Sequence, residues 1–257
     1  MARTEPIGTE LYRDEFGQGS PVLVLIHGQG ANGDVWNALR PFVARGWPGR
    51  CVVPDLRGHG RSRHRAPYGY GTYAADIADL LGPEQEAVLV GHSLGGAVSL
   101  TLASGWFGVT VRRVVAFGVK VIWTEEERAR RAQLAMAPVR WFETRAEAIE
   151  RYLKISGQFG LVDPTSPAAA SGVREESGRF RLAADPRISG GTMPEIAAIH
   201  AAAVAPVTLA VSANDRMMTV AEARGLDPNA VALEGVGHNA HIERPDLIWG
   251  LIEGASI

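Results

Sequence analysis

The chain has 257 residues, of which 46% are hydrophobic and 21% are charged, and its formal net charge is -2. This length suits one large domain with a sizeable core, and the composition is that of an ordinary soluble globular protein. A net charge near zero gives no general attraction to nucleic acid or to an acidic membrane surface, so we expect neither as a partner. The single cysteine, Cys51, excludes an internal disulfide, and we expect it in the core.

Targeting signals are not evident in the sequence. Residues 1–6 lack the apolar stretch of a secretory signal, and the most apolar later stretch, 196–211, is interrupted by His200 and Pro206. We therefore expect a cytoplasmic protein that has no membrane-spanning segment.

Short apolar runs alternate with helix-like stretches along most of the chain. Near-continuous apolar strands in such an order predict an α/β protein with a mostly parallel sheet covered by helices on both faces. The segment from Thr9 to Phe16 is predicted as an antiparallel edge strand, and Asn32 or Asp34 as the cap of the first helix. The other predicted strands are 22–26, 51–53, 87–90, 111–117, 207–211 and 230–233. The predicted helices between them are 34–45, 72–81 and 93–104.

Residues 121–205 interrupt this alternation and contain no strand signal. Three Thr-x-x-Glu pairs in this part match the capping box, in which each side chain satisfies a free backbone N–H at the start of a helix. We predict a helical cap inserted into a core domain that is formed by residues 1–120 and 206–257. The three pairs are Thr124 with Glu127, Thr144 with Glu147, and Thr192 with Glu195.

The segment Gly91-His92-Ser93-Leu94-Gly95 carries the strongest chemical signal, because it lies between a predicted strand and a predicted helix. A serine at such a turn has a strained backbone and an exposed hydroxyl. Gly91 and Gly95 let the strand and helix backbones pass close together, and the Leu94 N–H is presented to an oxyanion beside Ser93. We predict Ser93 as a nucleophile and expect the His92 side chain to point away from it.

A serine hydroxyl needs a base, and the base needs an acid that orients it. Asp215 and His238 each follow a predicted strand, and the carboxyl ends of parallel strands gather at one edge of a sheet. We therefore predict Ser93, Asp215 and His238 as a catalytic triad. Glu125 is the alternative acid, and we expect His241 to be a rim or structural residue.

The loop His27-Gly28-Gln29-Gly30 follows the first long strand. Gly28 permits close backbone approach, so the N–H of Gln29 can pair with that of Leu94 to form an oxyanion hole.

Other polar motifs indicate structural roles. His27 is expected to be a structural loop residue, and the segment from Asp55 to Ser62 a tightly hydrogen-bonded loop whose glycines take special backbone angles. The spacing of the histidines does not match a metal site, so we expect neither a metal nor a cofactor.

Three side chains are candidates for contacting a substrate: Trp36, Trp123 and Met217. A core position is the alternative for each of them. The predicted partner is a small-molecule substrate, and the sequence leaves open whether the chain forms a homodimer.

Together these motifs resemble the α/β-hydrolase superfamily, in its branch of cap-bearing, cofactor-free bacterial serine hydrolases. The resemblance extends from about residue 22 to residue 249, apart from the cap. It implies an α/β-hydrolase fold whose helical cap follows the sixth strand, a triad of Ser93, Asp215 and His238, and an oxyanion hole from Gln29 and Leu94. Dehalogenases and epoxide hydrolases of the superfamily carry an aspartate at the position of the serine, which argues against both chemistries.

The expected reaction is hydrolysis of a small carboxylic ester, lactone or thioester through an acyl-enzyme. Two alternatives stay open. One is hydrolysis of a carbon–carbon bond in a dienoic ketoacid, a meta-cleavage product. In that case Arg128, Arg131 or Arg140 would hold a carboxylate of the substrate. The other interpretation of these arginines is that they form a solvated helix face. The second is a receptor with the same fold that binds a ligand and has almost no catalytic turnover. The sequence does not identify the substrate.

Overall fold

The computed structural model describes residues 11–83 and 85–254. Its strands are β1 (Arg13–Phe16), β2 (Val22–Ile26), β3 (Cys51–Pro54), β4 (Glu86–His92), β5 (Thr110–Phe117), β6 (Val173–Glu176), β7 (Arg179–Leu182), β8 (Val207–Ser212) and β9 (Val231–Leu233). Its helices are α1 (Arg40–Gly46), α2 (Tyr70–Leu81), α3 (Leu94–Leu102), α4 (Glu125–Met136), α5 (Arg145–Ile155), α6 (Pro167–Ala170), α7 (Ile196–Ala201), α8 (Val220–Leu226), α9 (Ala240–Glu243) and α10 (Pro245–Glu253), with 3₁₀ turns at Gly33–Trp36 and Pro186–Gly190. None of the helices in this part of the chain has both the length and the apolar character needed to cross a bilayer.

The central sheet contains seven of the described strands, in the order β1-β3-β2-β4-β5-β8-β9. β1 pairs with β3 in the antiparallel sense, and all the other pairs are parallel. The predicted parallel sheet and its antiparallel edge strand are therefore confirmed; residues 9 and 10 of the predicted edge strand lie outside the described residues.

Both faces of the sheet are buried, because successive side chains of a strand point to opposite faces. Val22, Val24 and Ile26 of β2 pack in one apolar cluster together with residues of α2 and α3. Leu23 and Leu25 pack in a second cluster that includes residues of α10. All five β2 side chains are fully buried, which explains the unbroken apolar run in the sequence. Cys51 is buried in the second cluster, as expected.

The first predicted helix is divided in two. Asn32 caps a 3₁₀ turn, Gly33–Trp36, and accepts a hydrogen bond from the N–H of Asp34 at 3.0 Å. The α-helix proper begins only at Arg40, next to Pro41, whose missing N–H and fixed φ suit a first turn.

The segment between β5 and β8 contains a β-hairpin as well as helices, so the expectation of no strand in 121–205 was wrong. β6 and β7 pair from Val173 with Leu182 to Glu176 with Arg179. Their sequences contain mostly charged residues, which hid the strand signal. The turn was the readable clue, because Ser177 and Gly178 both have positive φ, as a two-residue hairpin turn requires. The segment also follows the fifth described strand, not a sixth.

Two of the three predicted capping boxes are confirmed, at the starts of α4 and α5. The third is wrong, because α7 begins after Glu195 without a side-chain cap. Thr192 instead forms a β-bridge with Gly69, and its carbonyl oxygen accepts a hydrogen bond from the N–H of Tyr70 at 3.2 Å. A contact with a distant segment thus overrode the local pattern. A box that the sequence analysis did not single out, Thr219 with Glu222, caps α8.

Gly95 in the first turn of α3 lies against the backbone of β2. A Cβ on Gly95 would lie 2.0 Å from the carbonyl oxygen of Ile26. Since backbone cannot move aside as a side-chain end does, Gly95→Ala should lower the free energy of unfolding by about 3 kcal/mol, at the upper end of overpacking costs. Urea unfolding measures this change.

The matched control is Gly71→Ala. Gly71 lies in the first turn of α2 with open space where its Cβ would be. An alanine there should leave the free energy of unfolding unchanged or raise it by up to about 1 kcal/mol. Equal effects of the two substitutions would contradict the proposed close crossing.

Candidate active site

The strand–turn–helix around Ser93 is confirmed. β4 ends at His92 and α3 begins at Leu94, and Ser93 between them has φ 52° and ψ -111°. A positive φ costs a serine on the order of 1–3 kcal/mol, so the surroundings must hold it. One such contact is the hydrogen bond from the N–H of Ser93 to the carbonyl oxygen of Phe117, at 2.8 Å. A Cβ on Gly91 would lie 2.2 Å from the carbonyl oxygen of Gly95, which confirms the close passage of strand and helix.

A cavity of about 600 Å³ lies where β2, β4, β8 and β9 end. Its wall contains all five residues that the sequence analysis assigned to the chemistry. The structure therefore brings together segments that are far apart in the chain. The five residues are Gln29, Ser93, Leu94, Asp215 and His238.

Asp215 and His238 are joined by a hydrogen bond of 2.8 Å between the Asp215 Oδ2 and the His238 Nδ1. The Asp215 side chain is fully buried, whereas 27% of the His238 side chain is exposed. The second carboxylate oxygen accepts a hydrogen bond from the N–H of Met217 at 2.8 Å. A carboxylate at Nδ1 keeps the proton on that nitrogen, so a neutral His238 ring has its lone pair at Nε2.

Ser93 and His238 share the cavity, but within the described residues no hydrogen bond joins the Ser93 Oγ to the His238 ring. Catalytic hydrogen bonds in ligand-free enzymes are often long and tighten when the substrate binds.

The loop after β2 approaches Ser93 closely at Gly28. A Cβ on Gly28 would lie 2.9 Å from the His92 Nδ1 and 3.3 Å from the Cβ of Ser93, as predicted for a glycine here. The N–H groups of Gln29 and Leu94 donate to no other group of the described residues. Two backbone donors are thus available at the cavity wall, and that of Leu94 lies at the positive end of α3.

His92 does not point away from the site, and this expectation was wrong. Its ring lines the cavity and lies 4.6 Å from the ring centres of both His238 and His241. The His92 Nε2 is 3.0 Å from the carbonyl oxygen of His238, so a proton on this nitrogen donates to the loop that carries His238. Gly118 makes room for the ring, since a Cβ there would lie 3.2 Å from His92. Local sequence gives no signal for such a contact.

Of the three residues predicted to contact a substrate, two line the cavity and one does not. Trp36 is fully buried and packs against Phe117 and His241, outside the cavity wall, so its assignment to substrate binding was wrong. Trp123 and Met217 both line the cavity.

The rival residues have other positions. His241 is fully buried, hence structural and not at a rim. Glu125 is exposed at the start of α4, outside the cavity wall, so it is not placed as an alternative acid.

The structural roles of His27 and of the loop from Asp55 to Ser62 are confirmed. The His27 Nδ1 donates to the carbonyl oxygen of Gly28 at 2.8 Å, and its Nε2 accepts from the N–H of Leu56 at 2.9 Å. The buried Asp55 accepts hydrogen bonds at 2.8 Å from both the backbone N–H and the Nε of Arg61. Burial alone would raise the pKa of Asp55, but these hydrogen bonds hold it below its ordinary value.

The segment between β5 and β8 contributes part of the cavity wall, including Trp123, Arg131 and Ile155. It is tied to the loop after β2 through the Gln29 side chain. The Gln29 Oε1 accepts a hydrogen bond from the Arg131 Nη1 at 2.9 Å, and its Nε2 donates to the Ser189 Oγ at 3.3 Å. The Gln29 side chain at the cavity wall is therefore held by this segment at both atoms of its amide.

This fold is that of an α/β hydrolase. A model of the alpha/beta hydrolase family matches residues 23–250, and the chain belongs to that family.

Among its relatives, the lipase LipV of Mycobacterium tuberculosis is 37% identical over 98 residues, which are 37% of this chain and 36% of the lipase. The pimeloyl-[acyl-carrier protein] methyl ester esterase of Aromatoleum aromaticum is 45% identical over 85 residues, or 32% of this chain and 31% of the esterase. The chain thus matches about a third of the length of its curated relatives. The thioesterase domain from the curacin biosynthetic pathway has a TM-score of 0.77 at 22% identity over 96% of each chain, which shows the fold.

Buried histidines make the stability of this protein dependent on pH. Burial, with the charge of His238 as the lesser cause, lowers the pKa of His241 to about 3, and burial likewise lowers that of His59 to about 3. In the unfolded chain these histidines titrate near pH 6.5, so between about pH 3 and pH 6.5 the unfolded state binds more protons. The free energy of unfolding should therefore fall as the pH falls below about 6.5.

Replacing His241 tests this pH dependence at one site. His241→Leu removes two buried ring nitrogens that have no hydrogen-bond partner in the described residues. Between pH 6.5 and pH 5 the variant should lose about 2 kcal/mol less stability than the wild type, at about 1.4 kcal/mol per pH unit for one proton. Urea unfolding at both pH values gives the difference, and parallel pH profiles would contradict it.

Proposed function

We propose that the protein is a serine hydrolase that cleaves a small carboxylic ester, lactone or thioester through an acyl-enzyme. Ser93 is the nucleophile, His238 the base and Asp215 the acid that orients it, with an oxyanion hole from Gln29 and Leu94. The observation that carries this proposal is the 2.8 Å hydrogen bond between His238 and the buried carboxylate of Asp215, in a cavity whose wall includes Ser93.

The first half of the reaction forms the acyl-enzyme. The Ser93 Oγ attacks the carbonyl carbon, and its proton passes to the His238 Nε2. The negative charge on the former carbonyl oxygen is stabilised by the N–H groups of Gln29 and Leu94, while Asp215 stabilises the imidazolium. When the tetrahedral intermediate collapses, the bond to the leaving alkoxide or thiolate breaks, and His238 gives it the proton.

The second half releases the acid. A water molecule transfers a proton to the His238 Nε2 as its oxygen attacks the acyl carbon. The second tetrahedral intermediate expels the Ser93 oxygen, which takes the proton back from His238, and the site returns to its starting state.

The names of the relatives agree with this reaction class, since a lipase and a methyl ester esterase both cleave esters.

We further propose that residues 121–205 act as a cap that selects the substrate. This assignment is supported by their contribution of Trp123, Arg131 and Ile155 to the cavity wall.

Ser93→Ala should abolish turnover, with kcat lower by about 10⁶, because the nucleophile is lost. A fluorophosphonate should add its mass to the Ser93 peptide of the wild type and not to the variant. The control is Ser99→Ala, in the same helix, where the buried hydroxyl donates only to the carbonyl oxygen of Gly95 at 2.8 Å; it should keep its labelling. A Ser93→Ala protein with wild-type turnover would refute the proposed nucleophile.

Asp215→Asn should lower kcat by about 10⁴, because the amide favours the wrong tautomer of His238. Stopped assays with saturating ester measure kcat, and thermal unfolding checks that the variant folds. Asp246→Asn is the control, since this exposed carboxylate pairs only with Arg244, and its kcat should not change. Equal kcat values for the wild type and Asp215→Asn would remove Asp215 from the proposed triad.

A further inference from the structure

Arg131 stands apart from its neighbours on α4. The helix has no buried residue; Glu127, Arg128, Arg131 and Ala135 are half-buried, and of the residues of α4 only Arg131 lines the cavity. One turn earlier, Arg128 forms an ion pair with Glu195 at 2.5 Å. Arg131 has no carboxylate within ion-pair distance among residues 11–83 and 85–254. A cation is thus held at the cavity without a protein counter-charge.

The contacts of Arg131 fix its orientation and leave the Nη2 without a hydrogen-bond partner among the described residues. The Nη1 donates to the Gln29 Oε1 at 2.9 Å, and the guanidinium carbon lies 4.9 Å from the centre of the Trp123 ring. The Nε of Arg131 is buried and has no acceptor in the described part of the chain. The Nε and the Nη2 form the second edge of the fork, which matches the two oxygens of a carboxylate. Since the Nε is shielded from solvent, binding through both nitrogens requires the guanidinium to turn toward the ligand.

Trp123 adds a second orphaned donor beside the same guanidinium. Its Nε1 is buried and also has no acceptor among the described residues, and its ring lines the cavity. A buried donor without an acceptor carries a free-energy cost. A ligand that brings acceptor oxygens to this part of the cavity removes that cost, whereas an alkyl chain does not.

The charge of the whole cavity favours an anion as well. Four cationic side chains and one carboxylate, that of Asp215, line it. Lys120 and Lys154 are paired with Glu127 and Glu150, so Arg131 and Arg216 are the two cations without an ion pair in the described residues. Clefts lined by one sign of charge concentrate ligands of the opposite sign. Burial lowers the pKa of Arg131, while the neighbouring Tyr70 and Tyr73 oppose this shift. The four cations are Lys120, Arg131, Lys154 and Arg216.

We infer that Arg131 binds a carboxylate of the substrate, so that the preferred substrates are esters or thioesters of acids that carry a second, free carboxylate. This inference rests on the proposed serine hydrolase and names its substrate class. The Gln29 side chain accepts a hydrogen bond from Arg131, and Gln29, Arg131 and Ser93 all line the same cavity, so one substrate can contact both Ser93 and Arg131.

The test compares charged and neutral esters of matched length. The charged probes are the monomethyl esters of succinate, glutarate and adipate, and the neutral partners are methyl pentanoate, hexanoate and heptanoate. Acid release is followed by titration. The wild type should hydrolyse at least one charged ester with a kcat/KM about tenfold above that of its neutral partner. Equal or better hydrolysis of every neutral partner overturns the inference.

Arg131→Gln should lower kcat/KM for the preferred charged ester by about 10- to 100-fold more than for its neutral partner, mainly through KM. Arg131→Lys keeps the positive charge but cannot donate two parallel hydrogen bonds, so its kcat/KM for the charged ester should lie between those of the wild type and Arg131→Gln. The matched control is Arg130→Gln, an exposed position on the same helix outside the cavity wall, which should behave as the wild type. An equal loss for charged and neutral esters in Arg131→Gln overturns the inference, because Arg131 would then only support Gln29.

A binding experiment separates this inference from the proposed function. Calorimetry measures glutarate binding to Ser93→Ala and to the Ser93→Ala, Arg131→Gln double variant, and it requires no turnover. Binding that the second substitution weakens by about tenfold or more supports the carboxylate site even if a fluorophosphonate fails to label Ser93. Binding that is the same in both proteins overturns the site even if Ser93 proves to be the nucleophile.

Discussion

The site depends on one backbone crossing, where the start of α3 lies against the end of β2. The gap between Gly95 and the carbonyl oxygen of Ile26 admits no side chain, and a Cβ on Gly28 would lie 3.3 Å from the Cβ of Ser93. The crossing lies beside Ser93, whose φ is positive and whose N–H donates to the carbonyl oxygen of Phe117. It also brings the N–H groups of Gln29 and Leu94 to one cavity wall. Without the glycines the strand and helix would separate, and the distance between Gln29 and Leu94 would increase.

The parallel sheet supplies the other half of the site. β5 separates β4 from β8 and β9, yet all these strands end at the same edge, so Asp215 and His238 reach the cavity that contains Ser93. His92 joins the two halves, because it ends β4 and its Nε2 contacts the carbonyl oxygen of His238. The buried carboxylate of Asp215 and the partly exposed imidazole of His238 come from different loops, so the sheet and not the local sequence brings them together.

The segment between β5 and β8 has a different task. Its helices are mostly exposed, and it makes polar contacts with the core at several points, among them those of Gln29 with Arg131 and of Tyr68 with Asp185. The same arginine leaves one edge of its guanidinium without an acceptor in the described structure. The Arg131 side chain therefore connects its own segment, which brings a positive charge to the cavity, to the loop after β2 that carries Gln29. Such a shared residue links substrate binding to the geometry of the proposed oxyanion hole.

The sequence by itself determined the features that are encoded within a few neighbouring residues. These are the buried strands, the turn at Ser93, two capping boxes, and the residues that follow each strand, because periodicity, glycine and capping act locally. Tertiary structure alone decided which side chains meet. It placed Trp36 in the core, paired the charged strands β6 and β7, drew Thr192 into a bridge with Gly69, and set His92 against His238. These outcomes depend on contacts between distant segments, whose energies no local pattern contains.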